Sequence, residues 1–182
     1  MDKEMYIAVL IDVVGSRKLD PAKREDVQKA LRRGIDNVNC FLRGKYLMGQ
    51  DKYAAFEFSA GDSVMGLVKT TADAAVALNL ILGEIADMHP AYAVLGRGEW
   101  TLRMEGRGAN EQDGPCFWEA RHCLEYIKDA PCTFAIGQDN KCMEDIEALN
   151  NAADEFGWED YDDITPAYPC IKQVWDRYRI LD

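Results

Sequence analysis

Apolar residues run without interruption over positions 6–11 and stop at Asp12. A short, continuous, branched run of this kind predicts a central strand buried on both faces. Val13 to Arg17 then reads as a loop, and Asp20-Pro21 as a helix start, with Asp as the cap and Pro in the first turn. Val27, Leu31, Val38, Phe41 and Leu42 recur at helical spacing up to Gly44. Two short strands, 53–59 and 63–68, are predicted around the tight turn Ala60-Gly61-Asp62. Thr70 with Asp73 marks a second helix start; this helix is expected to run to about Met88 and to stop at His89-Pro90. Alternation over 100–106 predicts a further strand, and 107–114 a polar loop. Pro115 starts a third helix with Phe117, Ala120, Leu124 and Ile127 on one face. A last strand is expected over 132–137, then two helices, about 141–156 and 169–181, separated by an acidic segment.

The order is β-α-β-β-α-β, followed by α-β and a helical tail. It predicts an α/β (α+β) fold with a ferredoxin-like βαββαβ core over residues 1–138 and a C-terminal helical extension over 139–182. In that arrangement two helices cover one face of the sheet. The other face is left for the tail, a partner subunit or a ligand.

The same topology makes the first strand central and pairs it with the hairpin. Asp12, at the strand's end, and Asp62, at the hairpin tip, are therefore expected side by side. Each alone reads as a turn residue. Together they repel unless a cation lies between them. A magnesium or manganese ion, hard and oxygen-seeking, answers that need. Gly15 and Ser16 present free backbone N–H groups to an anion such as phosphate, and Arg17 and Lys18 add positive charge. Arg103, Glu105 and Arg107 would share one strand face. They either line the cleft beside Asp12 or pair across a solvated face. Arg121 and His122 belong to the opening turns of the third helix, where Arg121 either reaches phosphate or faces water.

Composition narrows the partners. The chain has 182 residues, is 48% hydrophobic and 29% charged, and carries a net charge of −11. Such acidity disfavours contact with nucleic acid or anionic membranes, and no apolar run reaches membrane-spanning length. The six cysteines form no C-x-x-C pair, and only His89 and His122 accompany them. Zinc spacing is absent, and the start at Met1 to Glu4 leads straight into the first strand. Free, buried thiols in a cytoplasmic protein are therefore expected.

Three motifs carry a resemblance. Asp12-Val13-Val14-Gly15-Ser16-Arg17, the stretch Ser59-Ala60-Gly61-Asp62-Ser63-Val64-Met65-Gly66, and Asp113-Gly114-Pro115-Cys116-Phe117-Trp118-Glu119-Ala120-Arg121 resemble the bacterial SatD family. The same pattern is remotely similar to class III nucleotidyl cyclase catalytic domains. That likeness implies a cyclase-type core, metal binding by Asp12, Asp62 and the Val13 carbonyl, and triphosphate contact by Val14, Gly15 and Ser16. It also implies a nucleoside triphosphate ligand and a homodimer sharing the open sheet face. Phe58 stands where ATP-using cyclases carry a lysine. Trp118 stands where they carry an asparagine, with His122 four residues on and Arg121 one place early. In cyclases that asparagine and an arginine four residues on, where His122 stands here, stabilise the transition state, so their loss removes much of the rate. Arg103, Arg107 and Arg121 remain candidates for catalytic roles, none of them assigned. Three functions stay open: a metal-dependent nucleotide-binding regulator with a degenerate cyclase-like site, an active nucleotidyl cyclase or other phosphate-transfer enzyme working as a homodimer, and a non-catalytic protein-interaction module.

Overall fold

A computed structural model describes residues 4–46, 52–130 and 134–144. These residues form a six-stranded mixed sheet with three α-helices. β1 (Met5–Val13) is followed by α1 (Pro21–Lys45), β2 (Tyr53–Phe58), β3 (Ser63–Val68), α2 (Thr71–Ile85), β4 (Ala91–Glu99), α3 (Pro115–Lys128), β5 (Phe134–Gln138) and β6 (Lys141–Glu144). The strands lie in the order β2-β3-β1-β4-β5-β6. All pairings are antiparallel except β4 with β5.

The uninterrupted apolar run of β1 places it in the middle, with Ile7, Val9, Ile11 and Val13 facing one way and Tyr6, Ala8 and Leu10 the other. The first set packs under α1 and α2 through Leu31, Val38, Ile81 and Ile85. The second packs under α3 through Phe117, Ala120, Cys123 and Ile127. α3 therefore lies on the face opposite α1 and α2, and the sheet face expected to stand open is covered over β1, β4 and β5.

Glycines let α3 sit this close. A Cβ on Gly96 would lie 2.8 Å from Ala120 Cα and closer still to the Cys116 carbonyl, one on Gly98 2.6 Å from Cys116 N, and one on Gly137 2.7 Å from Glu119 O. These are distances real side chains do not tolerate, so the helix backbone rests directly on the sheet.

Helix starts follow the caps. Asp20 accepts a hydrogen bond from Lys23 N at 3.0 Å, and Thr70 Oγ1 accepts one from Asp73 N at 3.2 Å. At the edge, β2 carries an irregularity between Ala54 and Glu57. There Asn39 of α1 takes over the pairing: its Nδ2 donates to Phe56 O and its Oδ1 accepts from Phe56 N, both at 2.8 Å.

Two expected elements differ. Residues 100–106 form no strand; Leu102 makes one isolated bridge to Asp113. The buried side chain of Gln112 replaces a strand neighbour here. It donates to the carbonyls of Met104 and Arg107 and accepts from Met104 N and Trp100 Nε1. The strand lies just upstream, as β4. Likewise, Lys141–Glu144 opens not as a helix but as β6, paired with β5. The rest of the helix expected over 141–156, and all of that over 169–181, lie outside the described residues.

The cysteines also depart from expectation. Cys123 of α3 and Cys142 of β6 form a disulfide, with Cα atoms 5.4 Å apart. Cys40 is free and exposed, and Cys116 free and buried; Cys132 and Cys170 lie outside the described residues. Among the described residues no helix is long and apolar enough to cross a membrane.

Candidate functional site

The end of β1 is where the chain changes character. Six residues of β1 pair with β3, the last being Asp12 with Ser63, which places Asp12 beside the residue following Asp62. On the other side Asp12 pairs with Tyr92 of β4. The chain then turns at Gly15, whose φ of +59° suits glycine, through a short 3-10 turn, Ser16–Lys18, into the Asp20 cap of α1. His89 and Pro90 pin this turn. His89 Nε2 donates to Val14 O at 2.6 Å, and Val14 N donates to Pro90 O at 3.0 Å.

The result is a cleft of about 670 Å³ at this end of the sheet. Asp12, Val13 and Tyr92 form its floor, Ala60 to Ser63 one wall, and Gly15 to Lys18 another, with Arg24 and Lys128 reaching in. Asp12, Asp62, Val13, Gly15, Ser16, Arg17 and Lys18 are thus brought together. Val14 stays behind the turn, its N–H committed to Pro90.

The two carboxylates are held by different layers. Asp12 accepts from Ser63 Oγ at Oδ1, and its Oδ2 lies 2.6 Å from Lys128 Nζ at the end of α3. Asp62, buried, accepts from Gln28 Nε2 at 2.7 Å and faces Arg24 Nε at 3.3 Å, both on α1. The repulsion expected between two bare carboxylates is therefore answered by one cation each. Asp62 Oδ2 is buried, and although Arg24 is near, it accepts no hydrogen bond.

Cationic side chains outnumber carboxylates four to two around the cleft, in a chain whose net charge is −11. Arg17 and Lys18 have no acidic partner among the described residues. A local positive excess on an acidic protein is the electrostatic signature of an anion site.

The donor set also suits a hard divalent ion, since both carboxylates offer oxygen and one oxygen is buried without a hydrogen bond. Among the described residues no group of three His, Cys, Asp or Glu side chains gathers to cage a metal. Magnesium or manganese held by Asp12 and Asp62 would complete its shell with backbone, water or phosphate oxygen.

The other sequence candidates lie elsewhere. Arg103 stacks over Tyr6 at 5.0 Å and Trp100 at 4.9 Å, and its Nη2 lies 3.3 Å from Glu4. It and Arg107 line a separate hollow of about 340 Å³. The two do not share a strand face, because the segment that carries them is the loop held by Gln112. Arg107 pairs with Glu111 at 3.5 Å, and Arg121 with Asp113 at 3.8 Å. Trp118 is exposed, its Nε1 donating to Asp113 at 2.8 Å, and Phe58 lies under Arg32 with a ring distance of 4.6 Å. None of these lines the Asp12 cleft.

Arg24, Gln28, His89, Tyr92 and Lys128 belong to the site and escaped the sequence reading. Arg24 and Gln28 had a usable signal: they are spaced i, i+4 just after the Asp20 cap, on one helix face. Lys128 had none, being an ordinary last-turn lysine.

Comparison with known proteins agrees with the three motifs. No curated protein matches the chain. The family model of the SatD family matches residues 6–155, and the chain belongs to the SatD family.

Proposed function

We propose that this chain is a metal-dependent nucleotide-binding protein of regulatory character, with a degenerate cyclase-like site in the Asp12 cleft. One observation carries the reading: two carboxylates from adjacent strand ends and four basic side chains converge on one cleft of about 670 Å³. Carboxylates suit the metal, and the basic side chains with the Gly15 turn suit the phosphates that complete its shell. Turnover is not part of the proposal. Trp118, at the position where the cyclase resemblance places an asparagine, and Arg121, one place before the position of the arginine, engage Asp113 instead of the cleft.

The test is a thermal-shift panel of ATP, GTP, CTP and UTP, each with magnesium, manganese or EDTA. Binding to the native state raises the midpoint by mass action. The expected result is a metal-dependent rise that disappears when D12N and D62N are combined. Release of pyrophosphate or phosphate in the same mixtures would move the assignment to an enzyme.

A second reading has its own support. Each carboxylate already has a cationic partner, as purely structural turn residues would. Leu102, Met104 and Trp118 are exposed, as a protein-binding surface requires. No shift with any nucleotide in any metal would favour this interaction module.

A further inference from the structure

A metal and phosphate site in this cleft must accommodate one feature, and the role assigned to Lys128 rests on that reading of the cleft. Both oxygens of Asp12 are occupied, Oδ1 by the Ser63 hydroxyl and Oδ2 by Lys128 Nζ at 2.6 Å. Asp62 Oδ2 is buried and faces Arg24 Nε at 3.3 Å, but it accepts no hydrogen bond and is the less firmly held of the two. A divalent ion shared by the two carboxylates needs an oxygen from each. Asp62 gives Oδ2, which no hydrogen bond holds, as the Arg24 guanidinium 3.3 Å away turns aside. Asp12 has one only when Lys128 withdraws, because an ammonium and a divalent cation on the same oxygen repel one another.

Lys128 is able to withdraw. It is the last residue of α3, and its side chain is 43% exposed. Its four-carbon stem is flexible and carries a compact, well-hydrated charge, and an ion pair this exposed holds only weakly. The withdrawn ammonium remains at the cleft, where phosphate is the nearest anion once a ligand is present.

We propose that Lys128 is the resident counter-cation of Asp12: it yields that carboxylate to an incoming divalent ion and then binds the phosphate that arrives with the ion. The residue therefore acts in opposite directions on two events. It opposes binding of metal alone and favours binding of metal together with a polyphosphate. The cleft consequently discriminates against bare magnesium or manganese and responds to the metal–polyphosphate complex.

The experiment uses the full chain, as wild type, K128Q and K128R, with matching far-UV spectra and melting curves as the fold control. Free Mn²⁺ is titrated by electron paramagnetic resonance, and the complex of Mn²⁺ with inorganic triphosphate by calorimetry. K128Q is expected to bind Mn²⁺ alone roughly threefold to fivefold more tightly, the range of one partly exposed ion pair. It is expected to bind the triphosphate complex roughly fivefold to tenfold more weakly, one charge-assisted contact being lost. K128R should follow wild type in both. If wild type binds both probes and K128Q binds Mn²⁺ alone equally or less tightly, the role of Lys128 is overturned while the cleft reading stands. If neither protein binds either probe, the cleft reading falls and this inference with it.

Discussion

Replacing Gly96 by alanine adds a single methyl group at the tightest helix–sheet contact of the molecule's α3 layer. Gly96 has no positive φ, so the substitution tests space and not backbone freedom. The new Cβ would lie 2.8 Å from Ala120 Cα. Ordinary contact begins at 3.4 Å, so α3 must retreat by at least roughly 0.6 Å there, and further at Cys116. A gap of that size forfeits about a quarter to a half of the dispersion attraction along the contact. The side chains affected are Phe117, Ala120, Cys123 and Ile127, all fully buried. Overpacking of a close-packed core costs about 1–3 kcal/mol, and with backbone on both sides the upper part of that range applies, about 2–3 kcal/mol. For a chain of this size the melting midpoint should fall by roughly 5–10 °C. Urea denaturation of G96A measures the cost directly. G44A is the control, because nothing lies within 4 Å of its added Cβ, and a helical Gly→Ala change should stabilise by about 0.5–1 kcal/mol. A G96A variant within about 0.5 kcal/mol of wild type would refute the claim that glycine is what seats α3 on the sheet.

Three further outcomes rest on particular contacts. N39A should cost about 1–3 kcal/mol in urea denaturation, since it strips both hydrogen bonds from the Phe56 backbone at the β2 irregularity; a neutral result would mean that β3 or water pairs those groups. Glu4 is held down to about 2 from 4.5, first by its hydrogen bond with Lys69, then by those with Tyr6 and Arg103. A carboxylate depressed in the folded state gives stability present in full above the unfolded value and lost as pH falls through the folded one. The stability difference between wild type and E4Q should therefore shrink as pH falls from about 4.5 towards about 2; a difference independent of pH contradicts the assignment. Burial pushes the Cys116 thiol up to about 12, so native-state alkylation at pH 8, mapped by peptide mass, should modify exposed Cys40 and spare Cys116 until the chain unfolds. Equal labelling of both in the native protein would count against the buried placement.

Much of the element order could be read from the chain because local signals and tertiary burial agreed. The continuous run ending at Asp12, the Asp20-Pro21 start, the Thr70 cap and the Pro115 start all appear where their side chains predict. β4 was displaced for a physical reason. Gly96 and Gly98 are needed under α3, and glycine weakens the very signal by which a strand is recognised. The alternation of Arg103, Glu105 and Arg107 looked like a strand, but Gln112 satisfies that backbone from across the loop, a long-range substitution no local pattern reports. In the cleft, Asp12, Asp62 and the Gly15 turn were legible from strand ends and turn chemistry. Lys128 and His89 were not, because each reaches the site only through the packing of a distant element.

The division of the two carboxylates between layers has a mechanical consequence. Asp12 is tied to α3 and Asp62 to α1, and among the described residues the two helices belong to separate cores on opposite faces of the sheet. Contiguous cooperative units of this kind open separately in native-state exchange, so in the free protein the two layers are expected to open at different levels. A molecule gripping both carboxylates acts as a clasp across the sheet's end. Opening either layer then requires releasing it, so its binding energy is added to both opening reactions at once. The slowest-exchanging amides of α1 and α3 would converge on one common protection level, and two fluctuating halves would behave as one body.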